Sequence, residues 1–118
     1  MNTILTNNPA VAGKYPDITR FIETDVAGVY KAVRDAVHTG AQLVSHPLSG
    51  SIKPNESPYK SVIINTGHVG LDYKSLQIIE DAISLLSRLP DRGRNHVESV
   101  LDDFRIIDLD LVDSGMQI

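Results

Sequence analysis

The fold is decided by a short apolar run in the middle of the chain, Ser61-Val-Ile-Ile-Asn65. The run does not alternate between apolar and polar residues, which is typical of a central strand that is covered on both faces. The turn-forming stretch Thr66-Gly-His-Val-Gly70 follows it directly. We therefore expect residues 61–65 to lie inside a sheet with other structure packed on both sides.

A long amphipathic helix is predicted after this strand, over residues 71–89. Asp72 can cap its first turn, and Pro90 ends it because a proline disfavours helical backbone in the residue before it. Apolar residues recur at helical spacing along one face. The row predicted to face the core consists of Leu76, Ile79, Ile83 and Leu86.

Three further strands are predicted in the first half of the chain, at residues 3–6, 18–23 and 42–45. Asn8 is a good N-cap and Pro9 suits the first helical position, so a short helix is expected to about residue 14. A second helix is predicted from Val26, after the cap residues Thr24 and Asp25, to Gly40, where the glycine supplies a left-handed C-terminal residue.

The last part of the chain gives a less decisive pattern. Asn95 and Glu98 form a plausible capping box for a helix that would bury Val97, Val100, Leu101 and Phe104. The tail, residues 107–111, alternates as an edge strand does, but it also fits a short helix, and the pattern does not decide. Three carboxylates of this region are predicted to form its solvent-exposed face: Asp108, Asp110 and Asp113.

These elements predict a single α/β domain over residues 1–118. Helices between strands indicate a small three-layer sandwich, with a sheet of about four mostly parallel strands and helices on both faces. The connection between the third and fourth strands, residues 46–60, contains no helix. The fourth strand is parallel if this connection crosses over the sheet, and the sheet is mixed if it folds back as a wide hairpin.

Composition narrows the classes of function. The chain has 118 residues, of which 42% are hydrophobic and 22% charged, which is the composition of an ordinary globular protein. Its net charge is -4 and it has no run of Lys or Arg, so nucleic acid is not an expected partner. No cysteine is present, which excludes disulfides, thiolate nucleophiles and cysteine-ligated metals. No leader peptide and no apolar run of about 18 residues is found, so we expect a cytoplasmic protein without a membrane partner.

Polar residues are concentrated in three loops that follow predicted strands. Because the carboxyl ends of parallel strands meet at one edge of a sheet, we expect these loops to form a single rim. Free N–H groups at the start of the Pro9 helix would favour a carboxylate or phosphate there. The predicted ligand-binding residues are Asn7, Asn8, His46, Ser49, Gly50, Ser51, Lys53, Asn55 and Thr66.

These residues also have simple structural interpretations. Asn8 can be a helix cap and nothing more, Ser49-Gly-Ser51 can be a tight turn, and Lys53 and Lys60 can be solvated. Phosphate-loop and dinucleotide-binding motifs, histidine pairs at metal-binding spacing and a nucleophile elbow are all missing from the sequence. We therefore predict no catalytic residue, no metal and no cofactor, and whether the chain is an enzyme is left open.

Several segments carry a family resemblance. Ile4-Leu-Thr-Asn-Asn-Pro9, His46-Pro-Leu-Ser-Gly-Ser51, Lys53-Pro-Asn55, Pro58-Tyr-Lys-Ser61 and Ile78-Ile-Glu-Asp81 resemble the GrdX family, over roughly residues 3–90. Members of that family are encoded with the glycine, sarcosine and betaine reductase components of anaerobic amino-acid-fermenting bacteria. The resemblance implies an accessory role in assembly, regulation or ligand sensing, with reductase proteins as partners, and it implies no reaction.

An alternative follows from the polar rim itself. The chain can be a small enzyme or binding protein for a carboxylate- or phosphate-bearing metabolite that binds at the rim. Since the chain contains no cysteine, it cannot itself be the redox thiol or selenol carrier of the reductase system.

Overall fold

A computed structural model describes residues 1–50, 53–67, 70–90 and 96–116 of the chain. Strands and short helices alternate in the first half, and two long helices close the second half. The elements are β1 (Asn2–Thr6), α1 (Pro9–Lys14), β2 (Thr19–Phe21), α2 (Val26–His38), β3 (Gln42–Leu43), β4 (Ser61–Asn65), α3 (Tyr73–Arg88) and α4 (Glu98–Met116). No described helix combines the length and apolar character needed to cross a lipid bilayer.

The four strands form one mixed sheet in the order β2-β1-β4-β3. β1 and β2 are parallel, whereas β4 is antiparallel to both of its neighbours, β1 and β3. The prediction of a mostly parallel sheet is therefore wrong. The physical reason lies in the connection after β3, whose described residues, 44–50 and 53–60, form no helix that could carry the chain across the sheet, so β4 returns antiparallel to β3.

The central position predicted for residues 61–65 is confirmed. Val62, Ile63 and Ile64 are all buried, and β4 lies between β1 and β3. Val62 and Ile64 pack in one apolar cluster with residues of α2 and α3. Ile63 packs in a second cluster, with Val11 of α1 and Val112 of α4. The side chains on both faces of β4 are therefore covered by helices.

The row of apolar residues predicted on α3 faces the core. Ile79 is fully buried, and Leu76, Ile83 and Leu86 are partly buried against the same cluster. The opposing helix α2 contributes Val29, Val33 and Val37, among others. The contact between these two helices thus builds the larger of the two apolar clusters.

The helix ends follow the predicted capping chemistry. The side chains of Asn8, Asp25 and Asp72 accept hydrogen bonds from backbone N–H groups in the first turns of α1, α2 and α3. Gly40 has a φ of 108°, and its N–H donates to the carbonyl of Val37. This left-handed residue satisfies a carbonyl group at the end of α2 that would otherwise lack a partner.

The tail of the chain differs from the sequence-based expectations. Residues 107–111 belong to α4, so the strand alternative is wrong. Asp108 is only 6% exposed, which corrects its assignment to a solvent-exposed face. Val97 and Val100, which were predicted to be buried, are exposed because α4 packs on the sheet through Asp108 and Val112. Asn95, the predicted cap, lies outside the described residues.

Candidate functional site

Three loops meet at the sheet edge where β1 ends and β4 begins. The side chain of Asn7 joins them, because its Nδ2 donates to the carbonyls of Thr24 and Pro58, each at 2.8 Å. Its Oδ1 accepts from the backbone N–H of Lys60 at 2.8 Å. All the polar atoms of this buried side chain are therefore engaged within the protein, and Asn7 fixes the loop positions.

A buried hydrogen-bond network centres on Asp108. Its Oδ2 accepts from Ser61 Oγ at 2.7 Å and from Asn8 Nδ2 at 3.0 Å. Ser61 Oγ lies 2.6 Å from Thr6 Oγ1, which accepts from the backbone N–H of Asn8 at 2.9 Å. The Thr6 hydroxyl can thus donate to Ser61, and the Ser61 hydroxyl to Asp108. The network connects α4 to β1, β4 and the start of α1.

Lys60 is the second charged residue buried at this edge. It is only 8% exposed, and its Nζ donates to the carbonyl of Ser49 at 3.3 Å. Burial lowers the pKa of Lys60, and the negative charge of Asp108 partly opposes that lowering. The interpretation of Lys60 as a solvated side chain is therefore wrong.

Lys60 and Asp108 line the same narrow cleft between α4 and the segment that precedes β4. The Lys60–Asp108 cleft is small, with a volume of about 20 Å³, and its lining residues are Ser49, Lys53, Pro54, Ser57, Tyr59, Lys60, Phe104, Ile107, Asp108 and Leu111. An adjoining cleft of about 10 Å³ shares four of these residues: Ser49, Lys60, Asp108 and Leu111. The two charged side chains therefore line the same two small clefts.

Some of the predicted ligand-binding residues lie together at this edge. Ser49 and Lys53 line the Lys60–Asp108 cleft. Asn8 is fully buried beneath it, where its side chain caps α1 and also donates to Asp108 and to the carbonyl of Arg105. Like Asn7, it has a structural role at this edge, and its polar atoms are not presented to the cleft.

Other predicted residues lie around the cleft or further away. His46 is exposed, and its Nδ1 accepts from the N–H of Leu48. Gly50 has a φ of 98°, and a Cβ built on it would lie 2.8 Å from a methyl group of Leu111. Asn55 Nδ2 donates to the carbonyl of Pro90, and Asn55 lines a separate cleft of about 160 Å³.

Thr66 is not part of this site. Because β4 is antiparallel to β1, its last residues lie beside the start of β1, at the opposite edge of the sheet. The N–H of Thr66 donates to the carbonyl of Met1 at 3.0 Å. The expectation that Thr66 would share a cleft with Asn8, His46 and Ser49 is therefore wrong. Ser51 and His68, the remaining rim candidates, lie outside the described residues.

Sequence reasoning missed the two residues that dominate the cleft, Lys60 and Asp108. A signal for Asp108 was present, since it follows Phe104 by four residues and precedes Val112 by four. A helical interpretation of the tail would therefore have placed it on an apolar face. Arg105 was missed as well; it donates to the Tyr59 hydroxyl at 3.0 Å and pairs with Glu98 on its own helix.

An apolar stripe of partly exposed side chains runs along the side of α4 that borders the Lys60–Asp108 cleft. This α4 stripe consists of Val100, Ile107 and Leu111, which are 36%, 40% and 38% exposed, with the partly buried Phe104 between them. The spacing of four, three and four residues keeps them on one side of the helix. Asp103 and Asp110 are exposed, and each precedes a stripe residue by one position, which gives the stripe an acidic border.

The fold and the cleft define a small α/β protein with a closed polar network at one edge of a mixed sheet. The model of the GrdX-like protein family matches residues 3–117, nearly the whole chain. The chain therefore belongs to the GrdX-like family. Comparisons with curated proteins and with solved structures gave no match. Among the described residues, no three His, Asp or Glu side chains are grouped so that they could hold a metal ion.

We expect Tyr30→Phe to lower the free energy of unfolding by about 1–2 kcal/mol. The buried Tyr30 hydroxyl donates to the carbonyl of Pro47 at 2.7 Å, and it ties the loop after β3 to α2. Phenylalanine preserves the packing but leaves the carbonyl without this donor. Urea denaturation of both proteins measures the loss, and an unchanged midpoint would show that water replaces the hydroxyl.

A pH-dependent prediction follows from the lowered pKa of Lys60. Between that pKa and the ordinary value of 10.5, the folded protein binds fewer protons than the unfolded chain. The free energy of unfolding therefore gains a contribution that rises with pH in this interval. Lys60→Met should remove the rise, and the exposed Lys53→Met should not. Urea denaturation between about pH 7 and 10 gives the comparison, and parallel curves for wild type and Lys60→Met would contradict it.

Proposed function

We propose that the chain is a non-catalytic accessory protein of the glycine, sarcosine and betaine reductase system, and that it acts by binding a reductase component. The observation that carries this proposal is its membership of the GrdX-like family over residues 3–117. The reductase context comes from the resemblance to GrdX proteins, which are encoded with the reductase components. Assembly, regulation and ligand sensing are all roles that such a contact can serve.

The geometry of the polar edge supports a binding role over a catalytic one. Asn7 and Asn8 use their side chains to hold loops and helix ends together. Asp108 is likewise anchored by Ser61 and Asn8. Because these three side chains are held by hydrogen bonds within the protein, this edge is rigid. A rigid surface loses little conformational entropy when a partner binds.

The α4 stripe supplies the surface that we assign to the reductase partner. Neighbouring apolar side chains that stay exposed on one side of a helix are a feature of protein-binding surfaces. The acidic border formed by Asp103 and Asp110 favours a partner whose apolar contact residues are flanked by Lys or Arg. We therefore propose that a basic, amphipathic segment of a reductase component binds along α4.

Direct binding to purified reductase components tests this proposal. We expect one component to bind the wild-type chain in isothermal titration calorimetry, and Val100→Asp to weaken the complex by at least about tenfold, which corresponds to the loss of about 1.4 kcal/mol. Tyr73→Asp is the matched control, because Tyr73 is 76% exposed and lies on α3. No binding by any component would refute the accessory function. Equal binding by Val100→Asp would refute the assignment of the α4 stripe.

A second candidate function is the binding of a small carboxylate- or phosphate-bearing metabolite. It is favoured by one specific observation, the presence of Lys60 and Lys53 in the lining of a single cleft. A thermal-shift titration with acetate and inorganic phosphate tests it, because a ligand that binds only the folded state raises the melting temperature. This function would be refuted if neither these anions nor any other carboxylate-bearing ligand stabilised the chain.

A further inference from the structure

A second and much larger cleft lies on the face of the sheet that α2 covers, beside the last turn of this helix. It has a volume of about 370 Å³, which falls within the range of about 300–1,000 Å³ that is typical of small-ligand pockets. This Arg20 cleft is lined by Arg20, Asp35 and Thr66 together with several apolar residues. It shares no residue with the Lys60–Asp108 cleft or the adjoining cleft, so it is a separate site.

The floor of the Arg20 cleft is apolar. It is formed by Leu5 of β1, Ile64 of β4 and Ala41, which belong to the apolar cluster between the sheet, α2 and α3. Each of these residues is at most 4% exposed, so the cleft reaches down to the edge of the core. A hydrocarbon group bound there would leave water and rest against apolar side chains, which is favourable.

Arg20 places a positive charge above this floor. It pairs with Leu5 in the parallel ladder of β1 and β2, so the two side chains point to the same face of the sheet. Arg20 is exposed, and the ion pairs found among the described residues do not include it. Its planar guanidinium carries N–H donors that match the two oxygens of a carboxylate. The cleft therefore combines a carboxylate-binding group with an apolar surface.

Asp35 lies on the α2 side of the cleft and carries the opposite charge. It is exposed, and it is likewise absent from the ion pairs between described residues. Because water and salt screen the interaction between exposed charges, Asp35 repels a carboxylate at Arg20 only weakly. An ammonium group on the same ligand would be attracted to Asp35. This residue can therefore distinguish one carboxylate-bearing ligand from another.

We propose that the Arg20 cleft binds a small carboxylate that is joined to an apolar group, with the carboxylate on Arg20 and the apolar group on Leu5 and Ile64. Simple organic acids and amino acids with apolar side chains share this chemistry. A short carboxylate such as acetate is a poorer fit because it leaves the apolar floor uncovered. An apolar amine is a poorer fit because it brings a second positive charge to Arg20. The inference does not rest on the α4 stripe or on the Lys60–Asp108 cleft, since it involves none of their residues.

Isothermal titration calorimetry with two matched sets of ligands tests the inference on the wild-type chain. Leucine, isocaproate and isoamylamine share one apolar group, and phenylalanine, phenylpropionate and phenethylamine share another. Within each set the second ligand lacks the ammonium group and the third lacks the carboxylate. We expect at least one of the four carboxylates to bind at least about tenfold more tightly than acetate and than its matched amine. Because this comparison needs no variant, it does not depend on the folding of any mutant.

Two substitutions then locate the site. Arg20→Met should weaken the best carboxylate at least about tenfold, whereas Arg88→Met should leave its affinity within about threefold of wild type. Arg88 is the matched control because it is exposed, lies in the last turn of α3 and does not line the cleft. Thr3→Phe, in the lining of the cleft, fills part of the space and keeps both charges, so it should also weaken binding. The melting temperature of each variant without ligand shows that it is folded.

Asp35→Asn separates the two sources of the carboxylate. If leucine or phenylalanine binds more tightly than its deaminated partner, and Asp35→Asn removes the difference, the ligand is an amino acid. If the deaminated acid binds at least as tightly, the ligand is a simple organic acid. Either result supports a carboxylate with an apolar group as the ligand of this cleft.

Four results would overturn the inference. These are amines that bind as tightly as the carboxylates, acetate that binds as tightly as both sets of carboxylates, wild-type affinity in Arg20→Met, and no binding at ligand concentrations of about 10 mM, at which millimolar affinities are detected. A carboxylate that binds at the polar edge instead would lose affinity in Lys60→Met and not in Arg20→Met. The two variants therefore keep failure of this inference distinct from failure of the second candidate function.

Discussion

Asp108→Ala is expected to lower the free energy of unfolding by about 3–5 kcal/mol, because it removes two buried hydrogen bonds to a charged acceptor, each worth about 1.5–3 kcal/mol. The substitution leaves the Ser61 hydroxyl and one hydrogen of Asn8 Nδ2 without their acceptor, while Asn8 Nδ2 keeps its hydrogen bond to the carbonyl of Arg105. It also removes the negative charge that opposes the lowering of the Lys60 pKa. Urea denaturation monitored by circular dichroism measures the effect.

Two control substitutions make the result specific to the buried carboxylate. Asp110→Ala removes an exposed carboxylate from the same helix and should change the free energy of unfolding by less than about 0.5 kcal/mol. Asp108→Asn should fall between wild type and Asp108→Ala, because an amide oxygen can still accept from Ser61. A loss below about 1 kcal/mol for Asp108→Ala would mean that the network does not stabilise the fold.

Ile79→Ala is the second large effect, with an expected loss of about 2–5 kcal/mol. Ile79 is fully buried in the cluster between α2 and α3, so the substitution removes apolar contacts and leaves a cavity. Ile83, one turn further along α3, is partly buried, and Ile83→Ala should cost less. Tyr73→Ala, at an exposed position of the same helix, serves as the control. Equal losses for Ile79→Ala and Ile83→Ala would contradict the burial pattern.

The sequence predicted those parts of the fold that depend on local chemistry. Asn8, Asp25 and Asp72 cap helices because their side-chain oxygens reach nearby backbone N–H groups, which is a property of a few consecutive residues. Gly40 ends α2 for an equally local reason, since its left-handed backbone suits glycine. The apolar row of α3 followed from helical spacing alone.

The direction of β4 could not be predicted in the same way. It depends on whether residues 46–60 cross the sheet or fold back, and no residue in that segment determines the path by itself. One contact that holds the observed path is the hydrogen bond from Tyr30 to the Pro47 carbonyl, which joins parts of the chain that no local pattern relates. The position of Thr66 was mispredicted because it follows directly from the direction of this strand.

Two of the three predicted rim loops lie together, and their role as a ligand-binding site stays a prediction. The loops after β1 and β3 do meet at one edge, with Asn7, Ser49 and Lys53 close to it. Asp108 was missed because alternation in the tail suggested a strand with this carboxylate facing solvent. Lys60 was missed because lysine is rarely buried, and its burial depends on α4 packing over the start of β4.

The short outer strands of the sheet have a consequence for how the protein behaves at high concentration. β2 has three residues and β3 has two, and these are the strands at the two margins of the sheet. Unpaired backbone groups along a long, flat margin act as a template on which other chains can add strands and aggregate. Here each margin offers only a few such groups, and β2 also carries the exposed, charged Arg20. The chain should therefore resist fibril formation even though its inner strands, β1 and β4, are rich in apolar residues.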